Sequence, residues 1–102
     1  MTIEKKHFFL KLNPPRPTFV QDMNEDERNI MNKHVEYWKG LVDKGVVVVY
    51  GPVFDPAGGY GIGVVEVENE EEVKAIAAND PATSSGLGWY SIFPMRAIIA
   101  KR

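Results

Sequence analysis

Two stretches of the chain carry apolar residues at helical spacing, and four shorter runs around them read as strands. In the longer helical stretch, Asn24–Gly45, the residues Ile30, Met31, Val35, Trp38, Leu41 and Val42 share one face. Glu27, Lys33, Glu36, Lys39 and Asp43 fall elsewhere. Asn24 with Glu27 three positions on is a capping box, and Gly45 is the residue expected just past a helix end. The second stretch opens at Asn69 with Glu70, Glu71 and Glu72 in its first turn, where the helix dipole favours negative charge. It buries Val73, Ile76 and Ala77 and ends near Ala78 or Asn79. Asp80-Pro81 then reads as a new N-cap with Pro at the first helical position, opening a short turn through Ala82–Ser85 that Gly86 and Gly88 end.

The first strand is Lys6–Leu12, with Phe8, Leu10 and Leu12 on one face and His7, Phe9 and Lys11 on the other. Pro14, Pro15 and Pro17 make Asn13–Thr18 a stiff surface loop, a PxxP ligand being the alternative; Phe19 and Val20 are expected to anchor it. Val46–Tyr50 is a strand with no alternation, followed by an expected bulge or bend at Gly51-Pro52 and a continuation into Val53 and Phe54. Asp55–Gly59 is a turn and Tyr60–Glu68 the third strand, where Gly61 and Gly63 leave room for close approach. Trp89–Phe93 is the last strand, with Pro94 interrupting it and Met95–Ala100 running on along an edge.

This βαββαβ order predicts an α+β fold, a ferredoxin-like sandwich with an antiparallel four-stranded sheet and two helices on one face. Four valines in a row, Val46–Val49, need cover on both faces, and the helices supply only one. A homodimer through the open sheet face is therefore expected; cover by the Pro-rich loop or the C-terminal tail is the alternative.

A length of 102 residues fits one domain spanning 1–102. A hydrophobic share of 44% with 25% charged residues is the balance of a folded protein, and a net charge of −2 argues against nucleic acid or acidic membranes as partners. The lack of cysteine excludes disulfides, CxxC zinc sites and thiol nucleophiles. Met1–Lys6 leads into a strand and not a long apolar leader, and no run approaches the ~20 residues that span a bilayer, so a cytoplasmic protein is expected.

Few motifs carry chemistry. Gly58–Gly63 fails GxGxxG by register, since Glu66 stands at the third glycine's position, and it joins two strands without opening a helix. His7 and His34 lack metal-ligand spacing, so no metal is expected, and Ser84, Ser85 and Ser91 lack a nucleophile elbow. His34 is the exception, a titratable ring in the middle of an apolar stripe. An imidazole working as acid or base needs a carboxylate to hold its tautomer. Among Asp22, Asp43, Asp55 and Asp80, Asp43 falls on the polar side of its helix and Asp55 in an exposed turn. Asp80 follows the helix that packs beside the first. The competing interpretation is that Asp80 only caps its turn and His34 is a satisfied core histidine.

His34–Leu41, Gly45, Tyr50-Gly51-Pro52-Val53, Asp55-Pro56, Glu66-Val67, Glu70–Val73 and Asn79-Asp80-Pro81, in this order and spacing, resemble the YciI-like (YCII-related) proteins from Phe8 to Ile99. The resemblance implies a dimeric α/β-barrel type of ferredoxin-like fold. It also implies a pocket in which a helix His and an Asp before Pro act as an acid–base pair, here His34 and Asp80. One branch of the family looks like dehydrochlorinases of chlorinated hydroxyquinols. The segment Asn13–Asp22 is longer than in the shortest relatives and is expected to reshape the pocket mouth. Trp38, Gly51, Pro52, Phe54 and Tyr60 are the expected substrate-binding wall. The expected function is proton transfer on a small cyclic or aromatic metabolite without a cofactor; a non-catalytic ligand-binding dimer is the alternative.

Overall fold

The computed structural model describes residues 4–99. The elements run β1 (Lys6–Asn13), α1 (Phe19–Asp22), α2 (Glu25–Asp43), β2 (Val47–Val53), β3 (Tyr60–Val67), α3 (Glu70–Asn79), α4 (Pro81–Ser84) and β4 (Trp89–Met95). The strands form one sheet in the order β2-β3-β1-β4 with every neighbour antiparallel. With α2 and α3 on one face, this is the expected ferredoxin-like α+β sandwich, to which two single-turn helices are added.

Local chemistry accounts for the long helix. The Asn24 side chain accepts from Glu27 N at 2.8 Å, and the Glu27 carboxylate accepts from Asn24 N at 3.0 Å. At the other end Lys44 N donates to Gly40 O, and Gly45 takes φ +77, which a residue without Cβ adopts freely. Asn69 caps α3 by accepting from Glu72 N at 3.0 Å.

One face of the sheet and the two longer helices enclose the core: Phe8, Leu10, Val65 and Val67 against Trp38, Leu41, Val73 and Ala77. The apolar stripe of α2 does two jobs rather than one. Trp38 and Leu41 enter the core, Met31 and Val35 line a cleft, and Val42 is exposed. Tyr37 ties α2 to α3 by donating its hydroxyl to Ile76 O at 2.8 Å.

Several expected boundaries move. The bulge in β2 falls at Val48, between the Val47–Val65 and Val49–Val64 pairings, and not at Gly51-Pro52. Pro52 stays in the strand opposite Gly61, and β4 likewise runs through Pro94, opposite Phe8, to Met95. Both are edge strands, where a missing N–H can face away from the ladder. After Met95, residues 96–99 form no strand, and the end of the expected run at Ala100 lies outside the described residues. Residues 19–22, expected as loop, close a helical turn; Phe19 is buried but Val20 is exposed. The helices leave the other sheet face open, although Val64 at its centre is only 8% exposed. There Val49, Val64, Phe9 and Phe93 form an apolar row across the strands, with Val49 52% and Phe93 54% exposed.

Candidate active site

The bulge at Val48 shifts the side-chain alternation of β2 by one, so Val49 points to the open face and Tyr50 to the helix side. Tyr50 there stacks on Trp38, ring centroids 5.7 Å apart and planes 21° from parallel. The indole lies over Gly63, where an added Cβ would collide with the ring, so only glycine leaves it this seat. Held in this way, Trp38 points its Nε1–H at Asp80 Oδ2, 2.9 Å away.

Asp80 is the centre of the arrangement. It is 0% exposed, yet both oxygens are fully engaged. Oδ1 accepts from Ala82 N at 2.9 Å, the cap of α4, while Oδ2 accepts from Trp38 and, at 2.5 Å, from the Tyr90 hydroxyl. His34 Nδ1 lies 2.8 Å from Oδ2 and 3.0 Å from Oδ1. Burial pushes the Asp80 carboxyl up, but the hydrogen bonds from His34, Tyr90 and the Ala82 backbone outweigh it and hold the group below the ordinary carboxylate range. An ionised carboxylate only accepts, so His34 Nδ1 carries hydrogen, and in the neutral imidazole the lone pair falls on Nε2. Burial and the neighbouring carboxylate push Tyr90 far up, which keeps it a donor.

The imidazole, whose side chain is 14% exposed, sits in the wall of a cleft of about 280 Å³. Helix α2 supplies Met31, His34, Val35 and Trp38; the sheet supplies Tyr50, Gly51, Pro52, Tyr60 and Ile62. Further wall comes from the segment between β1 and α2, through Pro14, Pro15, Phe19, Val20 and Met23, and from Ala82, Leu87, Gly88 and Tyr90. Among the described residues no Asp, Glu, Lys or Arg lines this cleft, and Asp80 is sealed behind the imidazole. Its chemistry is that of an apolar slot with one imidazole and a few hydroxyls. No group of three or more His, Asp or Glu among the described residues stands close enough to hold a metal ion.

His34 and Asp80 are thus in contact, and Trp38, Gly51, Pro52 and Tyr60 line the same cleft. Phe54 does not: it is 83% exposed and outside the cleft, because β2 ends at Val53 and the chain turns away at Asp55, whose backbone and side-chain oxygens accept from Gly58 N and Ala57 N. Sequence reasoning missed Tyr90, Tyr50 and Met23, whereas Phe19 and Val20 belong to the segment Asn13–Asp22 expected at the pocket mouth. Strand alternation was a usable signal for Tyr90, which pairs with the inward Leu12 and so brings a hydroxyl to the helix side. Tyr50 had no such signal, since its facing depends on the bulge.

A ferredoxin-like sandwich with a buried carboxylate behind a cleft-wall histidine defines the class. A family model of the YCII-related domain matches residues 7–96, and the chain belongs to that family. Among solved structures it is similar to the 5-chloro-2-hydroxyhydroquinone dehydrochlorinase (TftG) from Burkholderia phenoliruptrix AC1100, in complex with 2,5-dihydroxybenzoquinone. The TM-score is 0.63 at 23% identity, covering 87% of this chain and 93% of that chain. A comparison with curated proteins found no match. No helix among the described residues is long and apolar enough to cross a membrane.

Proposed function

We propose that this protein is a small enzyme that moves a proton on a small cyclic or aromatic metabolite, with His34 as the acid–base group and Asp80 as its anchor. The observation that carries this reading is the hydrogen bond from His34 Nδ1 to Asp80, which leaves Nε2 without a hydrogen-bond partner among the described residues, on a ring in the wall of an apolar cleft. In one turn of the cycle, Nε2 takes a proton from an acidic C–H or O–H of the substrate. The imidazolium so formed is stabilised by the Asp80 carboxylate, whose charge was set before the substrate arrived. Return of the proton to a different atom gives isomerisation or tautomerisation; departure of an anionic leaving group gives elimination. No organic cofactor is needed for either. The aromatic ring of Tyr50 and the apolar residues of the loop wall suit a flat, largely apolar ring.

The acting form in this proposal is a homodimer joined through the open sheet face. The apolar row Val49, Val64, Phe9 and Phe93 is the patch such a contact would bury. Proline in both edge strands disfavours strand-to-strand addition, which leaves the face and not the edges for a partner.

A panel of small phenols, hydroquinones and cyclic enols, offered to the wild type and to His34→Ala, tests the reaction. Substituted hydroquinones come first because the similar dehydrochlorinase carries one in its name. Turnover that falls by about 100-fold or more in His34→Ala is expected for a general acid–base group. Turnover that survives the substitution would remove His34 from the chemistry. Saturable binding with no turnover of any bound compound would favour a ligand-binding dimer instead.

A further inference from the structure

Asp80 has two side-chain donors that neither fold the α4 turn nor belong to the imidazole, Trp38 and Tyr90. Tyr90, on β4, brings its hydroxyl to 2.5 Å from Asp80 Oδ2, the oxygen that also lies 2.8 Å from His34 Nδ1. The same hydroxyl oxygen accepts from Trp38 Nε1 at 3.0 Å, so the indole N–H is shared between Tyr90 and Asp80. Two elements from opposite layers, α2 and β4, are in this way fastened to one carboxylate oxygen.

We propose that Tyr90 is a positioning residue for His34: its hydroxyl holds the Asp80 carboxylate in plane with the imidazole and withdraws part of its charge, and so sets the proton affinity of Nε2. This rests on the reading of His34 as the proton carrier. The physical basis is competition for one acceptor. Each donor on a carboxylate takes up part of its negative charge, and a short O–H to O⁻ bond takes up more than a neutral one of ordinary length. The Asp80 that faces His34 is therefore a weaker partner for an imidazolium than an Asp bonded to His34 alone. A base that must release its proton again gains from that restraint. Burial and the carboxylate keep the Tyr90 hydroxyl protonated, so the clamp does not itself titrate in the working range.

The groups that face His34 and Asp80 are few. Helix α2 contributes Tyr37, whose hydroxyl goes to Ile76 O; β4 contributes Tyr90; β2 contributes Tyr50 from the cleft wall, while the Tyr60 ring on β3 lies under Lys11 Nζ, 4.3 Å away. None of the other three tyrosines has a hydrogen bond to the carboxylate among the described residues, which makes Tyr90 separable by a single hydroxyl deletion.

The test is an NMR titration of the two imidazoles in the wild type, Tyr90→Phe and Tyr37→Phe, with His34→Ala to assign the resonances. In Tyr90→Phe the His34 midpoint is expected to rise by about half a unit or more, since the freed oxygen favours the imidazolium. His7, which pairs with Glu66 at 2.9 Å on the other face of the sheet, should not move, and Tyr37→Phe should leave both midpoints unchanged. An unmoved His34 midpoint in Tyr90→Phe, or an equal shift in Tyr37→Phe, overturns the proposal. Should Tyr90→Phe fail to fold, the wild type still decides. A Tyr90 hydroxyl proton protected from exchange and close to the Trp38 indole N–H is expected, and a hydroxyl that exchanges freely with water overturns the clamp. The failure modes stay distinct: loss of turnover in His34→Ala with an unmoved titration refutes only the role of Tyr90. A shifted titration with turnover indifferent to His34 refutes only the proposed chemistry.

Discussion

Gly63 and Trp38 form the tightest steric pair in the site, and the whole hydrogen-bond arrangement depends on it. The indole reaches Asp80 only because the strand beneath it has no side chain. Gly63→Ala is expected to destabilise the protein by about 1–3 kcal/mol through overpacking. It should appear as a lower urea midpoint at unchanged m-value, with altered Trp fluorescence as the ring tilts off the carboxylate. An unchanged midpoint would mean that the ring has room to slide. Asp80 itself links stability to pH. Its folded-state affinity for protons is below that of the unfolded chain, whose carboxylates titrate at roughly 4, so below that point the unfolded state binds more protons. The stability it contributes is full above that pH and is lost as the pH falls through the lower folded value. The difference in unfolding free energy between wild type and Asp80→Asn should therefore shrink on acidification. A difference independent of pH between 6 and 2 would show that Asp80 is not ionised in the fold.

At the scale of elements, the segment between β1 and α2 is held from two sides. Arg16 donates to both oxygens of Glu27 at 2.8 Å, to Asp22 Oδ1 at 2.8 Å and to Asp22 O at 3.0 Å. Glu27 also accepts from Asn24 N, so one carboxylate both caps α2 and fastens the cleft wall; Arg16 first, then Asn24, holds it down to about 2. On the other side Pro17 and Val20 lie against Gly58 and Gly59, where a Cβ would crowd them. Arg16→Ala is expected to lower the global unfolding midpoint only slightly, because the guanidinium and Asp22 stay partly open to water, while making residues 14–23 more sensitive to limited proteolysis. Equal cleavage rates in the two proteins would show that the prolines alone fix the segment. Asn24→Ala, by contrast, is expected to cost about 1 kcal/mol in denaturant unfolding, since it removes the side-chain half of the capping box.

For the molecule as a whole, the sheet has one face buried under helices and one that the helices leave open, with Val49 and Phe93 exposed on it. Sedimentation or light scattering at micromolar concentration is expected to give a dimer. Phe93→Lys or Val49→Lys should shift it to monomer with little loss of secondary structure, because both side chains are exposed in the single chain. A wild type that is monomeric under these conditions would leave the apolar row for another role.

What was legible in advance follows from range. The caps at Asn24 and Asn69, the glycine at 45, the alternation in β1 and the order of elements depend on residues within a few positions of each other, and periodicity exposes them. His34 stood out for the same reason, as a polar ring on a local apolar stripe, and Asp80 followed from packing and family likeness. The placement of Phe54, the position of the bulge and the passage of strands through Pro52 and Pro94 depend on partner strands, and a chain read in order does not contain them. Tyr90 comes to Asp80 across the fold, from β4, and Tyr50 reaches Trp38 only through a bulge that one inserted residue creates. The sequence by itself therefore determined which segments are helix and strand, which face of each is apolar, and that a histidine breaks one such face. The tertiary structure alone decided which donors surround the carboxylate that this histidine meets, because a buried carboxylate is ionised or neutral according to donors that arrive from other strands and helices.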